Sequence, residues 1–219
     1  MDENFNNEIA KQVTSAILDK YFSPIISKTT DKFKTLYNEA KINLEIPFQS
    51  YLTNSYEKYS KIKTIIYGIE PKRLYDFFEI PFLKKGSDII KPTTTKVLTD
   101  LSKFLIIEGS GGIGKSTLMK HLFLSELKLN DYIPIFIELK DFNEEGHLDL
   151  EKLLLKKLNQ FHNTFQEEYL DYALQSGCFL FLLDGYDELY SDNQKEFFKK
   201  LNDFCEKYQK LAFLLLNHK

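Results

Sequence analysis

The chain has 219 residues, 43% of them hydrophobic and 15% aromatic, enough apolar material for a substantial core and against intrinsic disorder. A formal net charge of −3, with no block of like charges forming a basic arm or acidic tail, gives no ground for a nucleic-acid partner. Cut before Phe104, the chain carries 16 Lys/Arg against 13 Asp/Glu on the N-terminal side and 13 against 19 on the other, an asymmetry that solvated faces produce.

The start, Met1-Asp2-Glu3-Asn4-Phe5, lacks the basic region and apolar stretch of a secretory signal. Residues 5–22 place Ile9, Val13, Ile17 and Tyr21 at helical spacing, and residues 25–42 repeat the pattern with Ile26, Thr29, Phe33, Leu36 or Tyr37, and Ala40. Pro24 is expected to separate these two helices. A third is predicted from Pro47 to about Tyr67, with Phe48, Leu52, Ser55 or Tyr56, Tyr59, Ile62 and Ile66 on one stripe and Gly68 as its stop. Residues 1–68 thus read as a helical N-terminal segment, either a small bundle packed on the C-terminal domain or an interaction module that docks a partner.

Residues 69–103 change texture, with Pro71, Pro81, Gly86 and Pro92 spaced around Leu74–Ile80, and read as a linker carrying a short strand. From residue 104 to 219 strands and helices alternate. An apolar strand at Phe104–Glu108 leads through a Gly-rich turn to a helix at about Gly114–Leu127 and a strand at Ile133–Leu139, a βαβ unit. Helices come next near Leu148–Phe161 and Gln166–Gln175, then a strand at Phe179–Asp184, a helix at Asp192–Tyr208 and an apolar run at Leu211–Leu216. Strands this apolar are expected in a parallel sheet with helices on both faces, an α/β fold. The longest apolar runs, such as Phe179–Leu183, fall far short of the roughly 20 residues that span a bilayer, so a soluble protein is expected. Cys178 and Cys205 have neither CxxC spacing nor a nearby histidine pair, which fits a reducing, cytoplasmic setting without zinc or disulfides.

Gly109-Ser110-Gly111-Gly112-Ile113-Gly114-Lys115-Ser116-Thr117 fits G-x-x-x-x-G-K-[ST], the Walker A pattern, and lies between a predicted strand and helix as its chemistry requires. The glycines let the backbone curl so that successive N–H groups face phosphate oxygens, while the helix N-terminus adds its positive dipole end. Lys115 would reach the β- and γ-phosphates, and Ser116 would offer its hydroxyl to Mg²⁺, a hard cation that prefers oxygen. The expected ligand is a purine nucleoside triphosphate with magnesium; the competing reading is a glycine-rich turn with no ligand. The second motif, Walker B, is Phe179-Leu180-Phe181-Leu182-Leu183-Asp184-Gly185-Tyr186-Asp187-Glu188-Leu189. A strand ending in a carboxylate delivers Asp184 to the carboxyl edge of the sheet, where ligands bind in open α/β folds. Asp184 is expected to hold the magnesium, Glu188 to act as base on the attacking water and Asp187 to support it.

At these residues the chain resembles the NACHT family, STAND-class P-loop ATPases related to NLR-type immune sensors. The family places a small residue after the magnesium-binding Asp and acidic residues three and four positions beyond it, as in Asp184-Gly185-Tyr186-Asp187-Glu188. The resemblance covers about residues 70–219 and implies an ASCE-type P-loop NTPase core that binds ATP or ADP with Mg²⁺. It implies an adenine contact at Phe77-Phe78-Glu79, with Phe78 as the site residue, and a sensor strand at Leu211–Leu216 inserted between the loop strand and the Asp184 strand. Family members usually end that strand in Thr-Ser-Arg, whereas this sequence reads Asn217-His218-Lys219 and is expected to be truncated there. Arg73 is the only arginine, so Arg73, Lys219 or a neighbouring subunit would supply the cation at the γ-phosphate, and His218 could meet a phosphate. The resemblance further implies nucleotide-controlled self-association or co-assembly with a larger NACHT protein, as in NLR-like signalling and antiphage defence, with no nucleic acid or membrane evident. A slow ATPase switch and a nucleotide-binding or co-assembly module without useful hydrolysis are both compatible with the sequence.

Overall fold

Among the described residues two helices, not three, precede the first strand: α1 (Asn7–Ile26) and α2 (Asp31–Tyr59). The computed structural model describes residues 7–62, 71–145, 149–160 and 167–218. Pro24 lies inside α1 rather than after it, and Pro47 lies inside α2, which runs for 29 residues. A mid-helix proline removes one backbone hydrogen bond and costs about 3 kcal/mol. Burial of Tyr37, Ala40 and Leu44 before Pro47 and of Phe48, Tyr51 and Leu52 after it on one core outweighs that cost, at about 1.5–3 kcal/mol per large apolar side chain. The buried stripes also differ from those predicted. Ile9 and Phe33 are exposed, and the core face of α1 is Ala10, Val13, Thr14, Ile17, Leu18 and Phe22. The helix α2 ends at Tyr59; the predicted stop at Gly68, with Ile66, lies outside the described residues.

Next come two small antiparallel pairs, β1 (Lys61–Ile62) with β2 (Lys72–Arg73) and β3 (Leu83–Lys85) with β4 (Asp88–Ile90). Between these pairs Leu74–Asp76 forms a single tight 3-10 turn rather than a strand. Tyr75 and Phe78 both touch the His121 ring. Residues three apart share a side in a helical turn but lie on opposite faces of a strand.

The remaining elements are α3 (Thr95–Thr99), β5 (Phe104–Gly109), α4 (Lys115–Leu129), β6 (Ile133–Glu138), α5 (Phe142–Glu145), α6 (Leu150–Asn159), α7 (Glu167–Ser176), β7 (Phe179–Asp184), α8 (Ser191–Lys207) and β8 (Ala212–His218). The four long strands form a parallel sheet in the order β5-β8-β7-β6, so the last strand inserts between the loop strand and the Asp184 strand, as expected. Alternation along β7 separates the two faces. Phe179 meets Phe48 of α2, and Phe181 meets Phe204 of α8, on one face. Phe136, in register with Leu182 on the other face, stacks on Tyr59, which also packs against Phe123 of α4. Helix α2 therefore crosses the open edge of β6 from one face to the other, and Tyr51 Oη accepts the Phe136 N–H on that edge strand (3.1 Å). Cys178 and Cys205 are both free thiols. Among the described residues no helix is long and apolar enough to cross a membrane.

A buried carboxyl joins α3 to α4. Glu126 accepts the Thr95 hydroxyl and, through Oε1, the N–H groups of Asp131 (2.9 Å) and Tyr132 (2.8 Å). Burial pushes its carboxyl up to about 7 from an ordinary 4.5, against those three hydrogen bonds. With the folded value the higher one, the unfolded chain releases a proton that the folded chain keeps as pH rises through this window, so stability falls there and is level above it. Glu126→Gln keeps an acceptor for both N–H groups and removes the ionisation. Between about pH 4 and about pH 8 the parent is expected to lose about 3 kcal/mol more stability than Glu126→Gln, measured by urea unfolding.

Candidate functional site

Strand β5 ends at Gly109, and the backbone turns through Gly112 and Gly114, whose φ angles of +76° and +90° lie in the left-handed region that favours glycine. Gly114 caps α4 without a side chain. The N–H groups of Lys115, Ser116 and Thr117 therefore have no intrahelical acceptor and no cap, and they stand at the positive end of the helix dipole. Lys115 bends over the loop, its Nζ donating to Gly109 O (2.7 Å) and Ser110 O (2.9 Å). Ser110, Gly111 and Ile113 are exposed on the crest, and Thr117 is half-buried. The Ile113 Cδ1 lies 2.4 Å from where a β-carbon at position 109 would stand, but Ile113 is exposed and the end of its side chain is free to turn away, so the need for glycine falls on Gly112 and Gly114.

From α4 the Ser116 hydroxyl donates to Asp184 Oδ1 at 3.1 Å, joining the two motifs across 68 residues of sequence. Asp184 closes β7, and Glu138 closes β6 in direct register with it. Burial raises the Asp184 carboxyl; the Ser116 hydrogen bond opposes this, and the charges of Glu188 and Glu138 add to it. A hydroxyl and a carboxylate oxygen side by side in acidic surroundings fit a magnesium ion, which takes oxygen donors and keeps several waters. Burial would likewise raise Glu138, but Lys140 (2.9 Å) and Lys58 of α2 (3.1 Å) outweigh it and hold the carboxyl down at about 2.

Gly185, with φ of +80°, turns the chain into a 3-10 turn at Tyr186–Glu188. Asp187 and Glu188 are both exposed, and the Glu188 carboxyl folds back over Gly185, 3.2 Å from where a β-carbon there would stand. Asn143 of α5 donates to Glu188 O (2.8 Å) and accepts the Tyr190 N–H (3.0 Å).

The structure thus brings Gly109–Thr117, Asp184 and Glu188 to one edge of the sheet. Phe78 is half-buried and packs on His121 of α4 at 5.4 Å. His121 faces Thr93 O through Nε2 (3.2 Å) and Tyr75 Oη through Nδ1 (3.0 Å). A carbonyl only accepts, so Nε2 carries the proton and Nδ1 accepts from Tyr75. Arg73 stands exposed on β2, His218 ends β8 in register with Gly109, and Lys219 lies outside the described residues. Sequence reasoning missed Glu138, Lys58, Lys140 and Asn143. One signal was present for Glu138: Ile133–Glu138 ends in a carboxylate just as Phe179–Asp184 does.

A loop of backbone donors at a helix start, a lysine on that loop and a strand-end carboxylate bonded to the helix serine form an arrangement that takes polyphosphate. Comparison with curated proteins and comparison with solved structures each returned no match. The family model described as NACHT domain matches residues 103–217, just over half of the chain and a span from the start of β5 almost to the end of β8. That span encloses both motifs and all four sheet strands, and the chain accordingly belongs to the NACHT domain family of nucleotide-binding, STAND-class P-loop NTPases.

Proposed function

We propose that the Gly109–Thr117 loop holds ATP or ADP with Mg²⁺ and that the bound ATP is hydrolysed slowly, as a switch on self-association or co-assembly. The observation that supports this reading is the Ser116–Asp184 hydrogen bond, which joins two oxygen atoms at the start of the helix that carries the loop lysine. In this reading Ser116, and Asp184 through water, would hold a magnesium ion that would supply neutralisation of the phosphate charge. Lys115 exchanges its two carbonyl partners for β- and γ-phosphate oxygens. The exposed Glu188 carboxylate takes the proton of the attacking water, with Asp187 beside it. Phe78, packed on the loop helix, is the wall on the adenine side. The setting proposed is the cytoplasm, in NLR-like signalling such as antiphage defence.

Calorimetric titration with ATP, ADP and GTP in magnesium tests the binding, and failure of all three to bind would overturn it. Hydrolysis has its own test: Glu188→Gln is expected to lower phosphate release about 100-fold with ATP still bound, the scale on which a general base contributes. Release from the variant equal to that of the parent would leave a binding module without useful turnover. Light scattering of the chain in ATP and in ADP reads the assembly step, and equal mass in both would count against the switch.

A further inference from the structure

Asn143 sits in α5, just beyond the end of β6, and its side chain ties together both flanks of the Glu188 turn. Its Nδ2 donates to Glu188 O (2.8 Å), while its Oδ1 accepts the Tyr190 N–H (3.0 Å) and Asn193 Nδ2 (3.2 Å). An amide side chain offers a donor and an acceptor on one rigid plane; a carboxylate lacks the donor, and a hydroxyl lacks the span. The backbone bonds within this turn are local, from Glu188 N to Gly185 O (3.0 Å) and from Leu189 N to Tyr186 O (3.2 Å). Asn143 anchors the turn instead to a different strand end, five residues after Glu138.

We propose that Asn143 is the positioning residue for Glu188: its fork fixes the backbone at residues 188 and 190 and so holds the Glu188 carboxyl over Gly185, the residue after Asp184. This rests on the reading of Glu188 as the base. Asn143 touches no reacting atom; it sets where the base stands. A displacement of about 1 Å at a catalytic group costs on the order of 100-fold in rate, so turnover is the sensitive quantity and nucleotide affinity the insensitive one.

The experiment uses the full chain and two variants. Asn143→Ala is expected to lower single-turnover ATP hydrolysis about tenfold or more, with ATP affinity changed by less than about threefold. Asn143→Asp keeps both acceptor bonds but sets a carboxylate oxygen against the Glu188 carbonyl. It is expected to slow hydrolysis as much as alanine does while the Tyr190 amide stays protected from hydrogen exchange. In Asn143→Ala that amide is expected to exchange about tenfold faster, a local opening confined to the turn. The Asn143→Ala/Glu188→Gln double variant is expected to be no slower than Glu188→Gln alone, because both act through one group. Full turnover in Asn143→Ala while Glu188→Gln is silenced would overturn the proposal, as would losses that multiply in the double variant. A Glu188→Gln chain as active as its parent would instead sink the base assignment; Tyr190 exchange, which needs no catalysis, then judges the anchor alone, and unchanged exchange in Asn143→Ala overturns it.

Discussion

Lys115→Ala is expected to weaken ATP binding by several hundredfold, about 3–4 kcal/mol, which is the range for removing one partner of a hydrogen-bonded charge pair. The ammonium is the cation that the structure places on the loop itself, bonded to the carbonyls of Gly109 and Ser110. Those carbonyls are weak partners beside a polyphosphate, so the lysine loses little when it leaves them and gains two charge-assisted bonds. Alanine deletes that gain and also frees the two carbonyls that curl the loop. The effect on the fold is smaller, about 1 kcal/mol, because Lys115 is only half-buried and water replaces it at the carbonyls. The two effects separate in thermal melts. At ATP a hundred times its dissociation constant the parent gains about 2.7 kcal/mol of stability, whereas Lys115→Ala at the same concentration is expected to gain almost none. An affinity loss of less than about tenfold would mean that phosphate lies elsewhere.

The phosphate loop and the Asp184 strand were legible in the sequence because their geometry is local: nine consecutive residues build the loop, and five apolar residues aim one carboxylate. Insertion of β8 between β5 and β7 could not be read from periodicity, which says nothing of strand order; it came from the resemblance alone. Asn143 and Glu188 are 45 residues apart, and Lys58 and Glu138 are 80 apart. Neither pairing leaves a local pattern, since Asn143 and Lys58 look like ordinary surface residues until the fold joins them to Glu188 and Glu138. The prolines misled for a related reason. Pro24 and Pro47 carry the local signal of a helix break, and that signal lost to tertiary burial of Phe22, Leu44 and Phe48. Tyr75 and Phe78 depend on a distant partner in the same way, since His121, 46 residues after Tyr75, draws both to one side of a turn.

The largest effect on stability is expected far from the loop, at Phe48→Ala. Phe48 is fully buried and meets Phe179 edge-on at 5.5 Å, and that ring begins a row that continues through Phe181 to Phe213 of β8, stacked at 5.0 Å. Removing a buried phenyl ring costs about 3–5 kcal/mol, a large share of the roughly 5–15 kcal/mol that holds a domain folded. For a chain of this size the melting temperature should fall by about 10 °C. Phe33→Ala, on the same helix but exposed, is expected to change stability by less than about 0.5 kcal/mol. The shape of the transition matters as much as its midpoint. Helix α2 covers the edge strand β6 through Tyr51 and Tyr59 and reaches Glu138, next to Asp184, through Lys58. If α1 and α2 complete the core in this way, Phe48→Ala lowers the helical signal and nucleotide binding together in one cooperative step. Early loss of helix with nucleotide still bound would show instead that residues 7–59 are a separate module resting on the NACHT core, free to leave it when a partner arrives.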